Sequence, residues 1–169
     1  MEKTGNIVLI GISGAGKSTL GVLLAKTLGK SFADTDIMIQ QKDGRLLQDI
    51  IDSEGIEYFM KLEEDTVCSA ELCDTVIATG GSVVYSDRAM KKLSDGGLCV
   101  YLNVDFDELT ARLKNITTRG IVFKSAQTLR EVYEERLPLY EKYADVTVEC
   151  TGSGIEESVG RIAELVSKN

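Results

Sequence analysis

The sequence predicts a single α/β domain, a doubly wound and mostly parallel β-sheet flanked by helices. Three features favour this fold class: short continuous apolar runs, segments of helical spacing between them, and a glycine-rich loop after the first run. Continuous apolar strands, unlike alternating ones, are typical of a parallel sheet that helices cover on both faces. The chain of 169 residues is long enough to bury the core of one domain.

The expected elements alternate along the chain. Strands are predicted where apolar residues run together, over 7–10, 31–33, 75–78, 98–102 and 146–148. Helices are predicted where apolar residues recur every three or four positions, over 17–28, 46–52, 56–72, 87–93, 106–113, 126–144 and 155–167. Gly29 follows the first helix where a left-handed C-cap is expected. Neither a linker nor an internal repeat divides the chain, so one domain over 1–169 is predicted.

The composition argues against several classes of function. The net charge of −8 disfavours a nucleic-acid binder, although one small nucleotide site can be locally positive on an acidic protein. The absence of histidine argues against a transition-metal site and against Ser-His or Cys-His nucleophilic catalysis. No apolar run approaches the roughly 18 residues that span a bilayer, and no signal-peptide pattern is present. We therefore expect a cytoplasmic protein with no membrane partner.

The glycine-rich loop over 11–18 matches the phosphate-binding pattern G-x-x-x-x-G-K-[ST] at every fixed position. Its glycines let backbone N–H groups converge on phosphates, and it lies between a strand and a helix, as this motif requires. Lys17 supplies a positive charge for the β- and γ-phosphates, and the Ser18 hydroxyl is placed to ligate Mg²⁺. The sequence thus predicts an ATP-binding P-loop with the nucleotide-binding residues Gly11, Gly14, Ala15, Gly16, Lys17, Ser18 and Thr19.

The segment Asp34-Thr35-Asp36 follows the second predicted strand, at the carboxyl edge where ligands of such sheets gather. Carboxylates at i and i+2 of a strand end project to the same side, so one can lie near Mg²⁺ while the other receives a substrate hydroxyl. The alternative is a helix N-cap pair before residues 37–41. The Asn-Lys-x-Asp segment usual in GTPases is absent, which favours a kinase.

Together these motifs resemble the shikimate kinase family over nearly the whole chain. The P-loop, the two aspartates, Thr79-Gly80-Gly81 and the 136–140 segment Arg-Leu-Pro-Leu-Tyr occur in that family's order and at about its spacing. Arg112, with Arg119 seven residues later, is similar to the family's adenine-stacking and lid arginines. The resemblance implies a P-loop kinase domain with substrate-binding helices over about 37–72 and a lid over about 114–126.

The resemblance also implies an activity, which is Mg²⁺- and ATP-dependent transfer of a phosphoryl group to a small-molecule hydroxyl. Shikimate is the expected acceptor, shikimate 3-phosphate the expected product, and a monomer the expected state. On the donor side Ser18 and Asp34 would hold Mg²⁺, and Arg112 would lie on the adenine face.

On the acceptor side, the resemblance implies that Asp36 holds the hydroxyl, either as a general base that deprotonates it or only as a positioning group. Gly80 and Gly81 would bring a backbone N–H to the substrate, and Arg136 would pair with its carboxylate. Arg119 would stabilise the charge of the transferring phosphate as the lid closes. The expected catalytic residues are therefore Lys17, Asp36 and Arg119.

Each arginine has a structural alternative. Arg112 could be a solvated residue on the helix after residue 106, and Arg136 could form an ordinary surface pair in its run of alternating charge. Arg119 lies in a polar stretch that is typical of a surface loop with or without catalysis.

The acceptor half departs from the family pattern. Where the family has Gly-Glu-x-x-Phe-Arg-x-x-Glu, this chain has Ile56 for the first glutamate and Met60 for the arginine, which is one of two carboxylate clamps. Losing one charge-assisted hydrogen bond should cost about 1.5–3 kcal/mol, and Lys61 could compensate only by reaching back along the helix. Ser82 replaces a third glycine, and Gly120 replaces a proline after the lid arginine.

These departures leave other hypotheses open beside shikimate phosphorylation. One is a kinase of a different small hydroxy compound, with Ile56 and Met60 lining a less polar pocket. Another is a degenerate nucleotide-binding paralogue without catalysis, although the residues at the predicted catalytic positions are retained.

Overall fold

In this computed structural model, which describes residues 5–114 and 127–167, five parallel strands form one sheet. They are β1 (Asn6–Ile10), β2 (Ser31–Asp34), β3 (Thr75–Ala78), β4 (Gly97–Asn103) and β5 (Val146–Glu149). The spatial order is β2-β3-β1-β4-β5, so β1 lies at the centre, between β3 and β4. Val8 of β1 lies opposite Ile77 on one side and Cys99 on the other.

Eight helices flank the sheet within the described residues. They are α1 (Lys17–Leu28), α2 (Thr35–Asp43), α3 (Leu47–Glu54), α4 (Ile56–Ser69), α5 (Asp87–Gly96), α6 (Phe106–Lys114), α7 (Leu129–Tyr143) and α8 (Ile155–Ser167). A short 3-10 helix (Val83–Tyr85) precedes α5. α1 packs against α8, α4 packs against α5, and α7 packs against β4 and the 3-10 helix.

The predicted fold class is confirmed, and the first helix has the predicted bounds. Helix α2 was not among the predicted helices, because Ile39 is the only apolar side chain that it buries and its sequence therefore has little helical periodicity. The helix predicted over 126–144 begins at Leu129 in the structure, because Thr128 caps it through a reciprocal capping box with Glu131. The helix predicted over 56–72 ends at Ser69.

Two apolar clusters support the sheet edge where the site lies. The larger one is centred on β1, whose five residues are all buried, as a central strand covered on both faces requires. The smaller one joins α2, α3 and α4 through Ile39, Ile50 and Phe59. It fixes these three helices as a unit beside the carboxyl ends of β1, β2 and β3.

None of the helices in the described ranges combines the length and the apolar character needed to cross a bilayer.

A substitution at Gly97 tests how tightly β4 pairs with β1. A Cβ atom at Gly97 would lie 2.7 Å from the carbonyl oxygen of Asn6, whereas one at Gly160, on the exposed side of α8, would meet open space. We expect Gly97→Ala to lower the free energy of unfolding by about 1–3 kcal/mol, because the paired backbones must move apart. The matched control Gly160→Ala should raise it by about 0.5–1 kcal/mol through helix propensity. Urea unfolding measures both, and equal stability of the two variants would contradict the register.

Candidate active site

The glycine-rich loop leaves the carboxyl end of β1 at the centre of the sheet. Gly11 has φ +147°, and a Cβ atom there would lie 2.8 Å from the carbonyl oxygen of Leu102 in β4. A side chain at this position would therefore collide with the neighbouring strand, which is why the chain can turn here only at glycine. The loop then leads directly into α1, so its backbone N–H groups gather at the positive end of that helix.

Lys17 and Ser18 open helix α1 and point in different directions. Lys17 is only 6% exposed, and its Nζ donates hydrogen bonds to the carbonyl oxygens of Gly11 (2.6 Å) and Ile12 (2.9 Å). Its ammonium group therefore lies over the loop itself. The Ser18 hydroxyl donates to Asp34 Oδ2 at 2.6 Å, which joins the loop to the end of β2.

Asp34 uses its two carboxylate oxygens for different contacts, one of which is the helix N-cap that the alternative interpretation predicted. Oδ1 caps α2 by accepting hydrogen bonds from the N–H groups of Asp36 and Ile37, while Oδ2 accepts from Ser18. The Ser18 and Asp34 oxygens are hard donors that fit Mg²⁺. Since no group of three or more His, Cys, Asp or Glu side chains is placed to hold a metal in the described ranges, such an ion would need phosphate and water ligands as well.

Asp36 reaches the site by a different route from the predicted one. It lies in the first turn of α2 and not on a strand end, so the argument from alternating strand side chains was wrong. Because Asp34 caps this helix, the two carboxylates nonetheless line one cleft, together with Lys17, Ser18 and Gly81.

Thr35, between the two aspartates, is a buried residue that the sequence analysis did not single out. It is 2% exposed, and its Oγ1 accepts a hydrogen bond from the Gly80 N–H at 3.0 Å. That N–H is therefore used inside the protein, which corrects the expectation that Gly80 offers it to a substrate. The contact fixes the loop after β3 to the start of α2.

Gly81 lies between the P-loop and helix α7. A Cβ atom there would approach Ser13 Oγ at 2.8 Å and Arg136 Nη1 at 3.1 Å. The Tyr140 hydroxyl donates to the Gly81 carbonyl oxygen at 2.6 Å and holds this loop from below. Ser13 lines the cleft beside Asp36 and is a second residue that the sequence analysis did not single out.

Arg136 is buried, with 1% of its surface exposed, so the surface-pair alternative was wrong. Its Nε donates to the Tyr85 hydroxyl oxygen at 3.3 Å, and its guanidinium lies 5.2 Å from the centre of that ring. The Tyr85 hydroxyl in turn donates a hydrogen bond to Glu135 Oε1 at 2.6 Å, and burial raises the pKa of this phenol. The arginine thus points into a small cavity that Asp36 and Gly80 also line.

Glu63 of α4 is a buried acid for which the sequence analysis assigned no role. It is 2% exposed, accepts a hydrogen bond from the Ser82 hydroxyl at 2.6 Å, and leaves Oε1 without a hydrogen-bond partner among the described residues. Burial raises the pKa of this carboxyl group to about 7, with Asp36 adding to the effect and Arg136 opposing it. Its four-residue spacing from Phe59 and Val67, both buried, is the signal that places it on the inner face of α4.

Arg112 lies at the far side of the P-loop, where it lines a cavity of about 400 Å³. Its guanidinium donates to the carbonyl oxygens of Ala15 and Cys150, both at 3.3 Å, and pairs with Glu108. Arg112 is therefore held against the P-loop, which contradicts the alternative of a solvated helix residue. The predicted nucleotide-binding residues Gly14, Ala15, Gly16 and Thr19 also line this cavity.

Two further predictions concern Arg119 and Lys61. The predicted lid over 114–126 begins at Lys114, the last residue of α6. The rest of the predicted lid, including Arg119, lies outside the described residues. Lys61 does not replace the family's arginine, because its Nζ pairs with Glu64 (3.0 Å) and Asp65 (3.2 Å) at the surface.

Comparisons with known proteins agree with the motifs. A family model described as shikimate kinase matches residues 13–167. A shikimate kinase of Francisella tularensis subsp. novicida is 38% identical over 98% of this chain and 97% of its own length. The structure of shikimate kinase from Acinetobacter baumannii in complex with shikimate aligns with a TM-score of 0.87 at 30% identity, covering 97% of this chain and 93% of that one. Shikimate kinase from Bacteroides thetaiotaomicron aligns with a TM-score of 0.82 at 29% identity, covering 96% and 98%.

Replacing Lys17 tests the loop as a triphosphate site. We expect Lys17→Met to weaken ATP binding about tenfold or more, because the ammonium group over the loop is lost. The matched control Lys26→Met removes an exposed lysine in the last turn of the same helix and should bind ATP normally. Calorimetric titration with ATP measures both. Equal affinities in the two variants would show that the loop cation does not contact the nucleotide.

Proposed function

This chain belongs to the shikimate kinase family, and we propose that it transfers the γ-phosphoryl group of ATP to a hydroxyl of shikimate, forming shikimate 3-phosphate. Enzymes of this family are ATP-dependent kinases with an alcohol as acceptor. The observation that carries the proposal is a cleft and a small neighbouring cavity that share Asp36 and Gly81 as lining residues. Lys17, Ser18 and Asp34 line the cleft, which is the donor end, and the buried Arg136 lines the cavity, which is the acceptor end.

At the donor end, the triphosphate lies along the backbone N–H groups of the P-loop, and the base enters the cavity beside Arg112. Lys17 leaves its loop carbonyls to bind the β- and γ-phosphates, which offer a stronger, charged acceptor. Ser18 and Asp34 would hold Mg²⁺, which would neutralise charge on the phosphates when bound. Asp34 would keep its helix-capping contacts through the other oxygen, so binding the ion would not disturb α2.

At the acceptor end, Arg136 pairs with the carboxylate of shikimate, for which a planar guanidinium is the natural partner. Asp36 accepts the proton of the shikimate hydroxyl as the hydroxyl oxygen forms a bond to the γ-phosphorus, while the bond from that phosphorus to the bridging oxygen breaks and ADP leaves. Positioning by these two residues supplies most of the rate, because phosphoryl transfer asks for little covalent chemistry from the protein. Arg119 is the further cation that would stabilise the transferring charge. The described residues of this scheme line the cleft and cavities of one chain, which supports a monomer as the active form.

The direct test is ATP consumption by the purified chain with and without shikimate, coupled to detection of the phosphorylated product. We expect turnover only when shikimate is added. Tight ATP binding without turnover at millimolar shikimate would remove this acceptor, and a panel of polyols, sugar acids and nucleosides would then search for another. ATP hydrolysis that responds to no acceptor would favour the degenerate paralogue.

A substitution at Met60 tests the altered acceptor half. Met60 precedes Glu63 by three residues and so lies on the same side of α4. We expect Met60→Arg to lower the KM for shikimate about ten- to a hundredfold, because a second cation then faces its carboxylate. The matched control Tyr58→Arg adds the same charge at an exposed position of that helix and should leave KM unchanged. Equal KM values in the two variants would mean that residue 60 does not face the acceptor.

A further inference from the structure

Two departures from the family pattern lie near one side chain, that of Glu63. Met60 places no charge on the turn of α4 that precedes Glu63, and Ser82 replaces the glycine of the loop that faces Glu63. The hydroxyl of that serine donates to Glu63 Oε2 at 2.6 Å across a separation of 19 residues. Both residues are buried, Ser82 at 4% exposure. The hydroxyl therefore gives a hydrogen bond to a carboxyl group that is shielded from solvent.

The second oxygen of Glu63 lies beside the acceptor cavity. A Cβ atom at Gly80 would approach Glu63 Oε1 at 2.3 Å and Asp36 Oδ1 at 3.0 Å, so the two carboxyl groups converge on one point of the loop. Oε1 is buried and has no hydrogen-bond partner among the described residues. A buried polar atom without a partner is costly, and it calls for an explanation beyond packing.

We propose, resting on the proposed function, that Ser82 and Glu63 together determine how the site accepts a charged acceptor. The Ser82 hydroxyl is a positioning group that fixes the Glu63 carboxyl group beside Gly80. The charge on that carboxyl group then sets the affinity for an acceptor that carries a carboxylate.

The charged groups around Glu63 give the direction of the effect. Asp36 faces it from α2, Lys17 from the start of α1, and Arg136 and Tyr140 from α7. Burial raises the pKa of Glu63 to about 7, so the carboxyl group is neutral below that pH and ionised above it. Ionisation adds a negative charge beside Arg136 and repels an anionic acceptor. Affinity for shikimate should therefore fall as the pH rises through about 7.

Ser82 moderates this response. Its hydrogen bond to Glu63 favours the ionised form and so opposes the effect of burial on the pKa. Removing the hydroxyl should keep Glu63 neutral to a higher pH. A purely structural contact would leave the pH profile unchanged. Removing the charge of Glu63 should instead flatten the profile, and removing the Ser82 hydroxyl should move its midpoint to higher pH.

The experiment measures shikimate binding by calorimetry and shikimate KM by turnover, between about pH 6 and about pH 8.5. In the wild type the dissociation constant should rise about tenfold across this range. Glu63→Gln, which is isosteric and always neutral, should flatten the profile, and Ser82→Ala should move its midpoint to higher pH. The uncharged methyl ester of shikimate should bind with no such rise. Ser69→Ala, at the exposed end of α4, is the matched control and should keep the wild-type profile.

The outcomes separate this inference from the proposed function. A wild-type rise that persists unchanged in Glu63→Gln overturns the inference, even when turnover is normal. A pH-dependent binding profile that Glu63→Gln abolishes supports it, even when no phosphoryl transfer occurs and the proposed function fails. Thermal unfolding verifies that the variants fold. If Glu63→Gln does not fold, a pH midpoint of shikimate binding in Ser82→Ala that equals the wild-type midpoint overturns the inference.

Discussion

The burial of several ionisable side chains at one edge of the sheet is the constraint on which the rest of the site depends. Lys17, Asp34, Glu63 and Arg136 are each at most 9% exposed. An unpaired charge in such a place costs several kcal/mol, so each needs compensation from its neighbours. Loop carbonyls compensate Lys17, helix N–H groups compensate Asp34, and a tyrosine contacts Arg136. Among the described residues Glu63 is the exception, because Ser82 bonds one of its oxygens and the other has no hydrogen-bond partner there.

These buried side chains leave little space for the backbone of the loop after β3. The loop after β3 can pass between Glu63, Asp36 and Arg136 only because residues 80 and 81 have no side chains. Thr35 and Tyr140 then fix this loop by hydrogen bonds to its N–H and carbonyl groups. Charge, backbone path and side-chain position are therefore coupled, and a change in one changes the geometry of the others.

The two halves of the cleft differ in how they follow the family pattern. The donor half keeps every fixed position of the P-loop, and its contacts depend mostly on backbone atoms. The acceptor half lacks the arginine at residue 60 and carries a serine at residue 82. Ser82 bonds Glu63, which follows residue 60 by three positions on α4, so both departures lie near the same carboxyl group. Selectivity for the acceptor is therefore where this chain is expected to differ from its relatives.

The sequence by itself determined the parallel sheet, the presence of seven of the eight helices in the described ranges, the P-loop and the family, because these depend on short-range patterns of apolar residues and glycine. Only the tertiary structure decided which charged residues are buried. Arg136 looks like a surface residue in its run of alternating charge, yet it is inside. The contacts of Thr35 with Gly80 and of Glu63 with Ser82 join residues 45 and 19 positions apart. Such contacts depend on how helices pack over the sheet edge, which local periodicity does not encode.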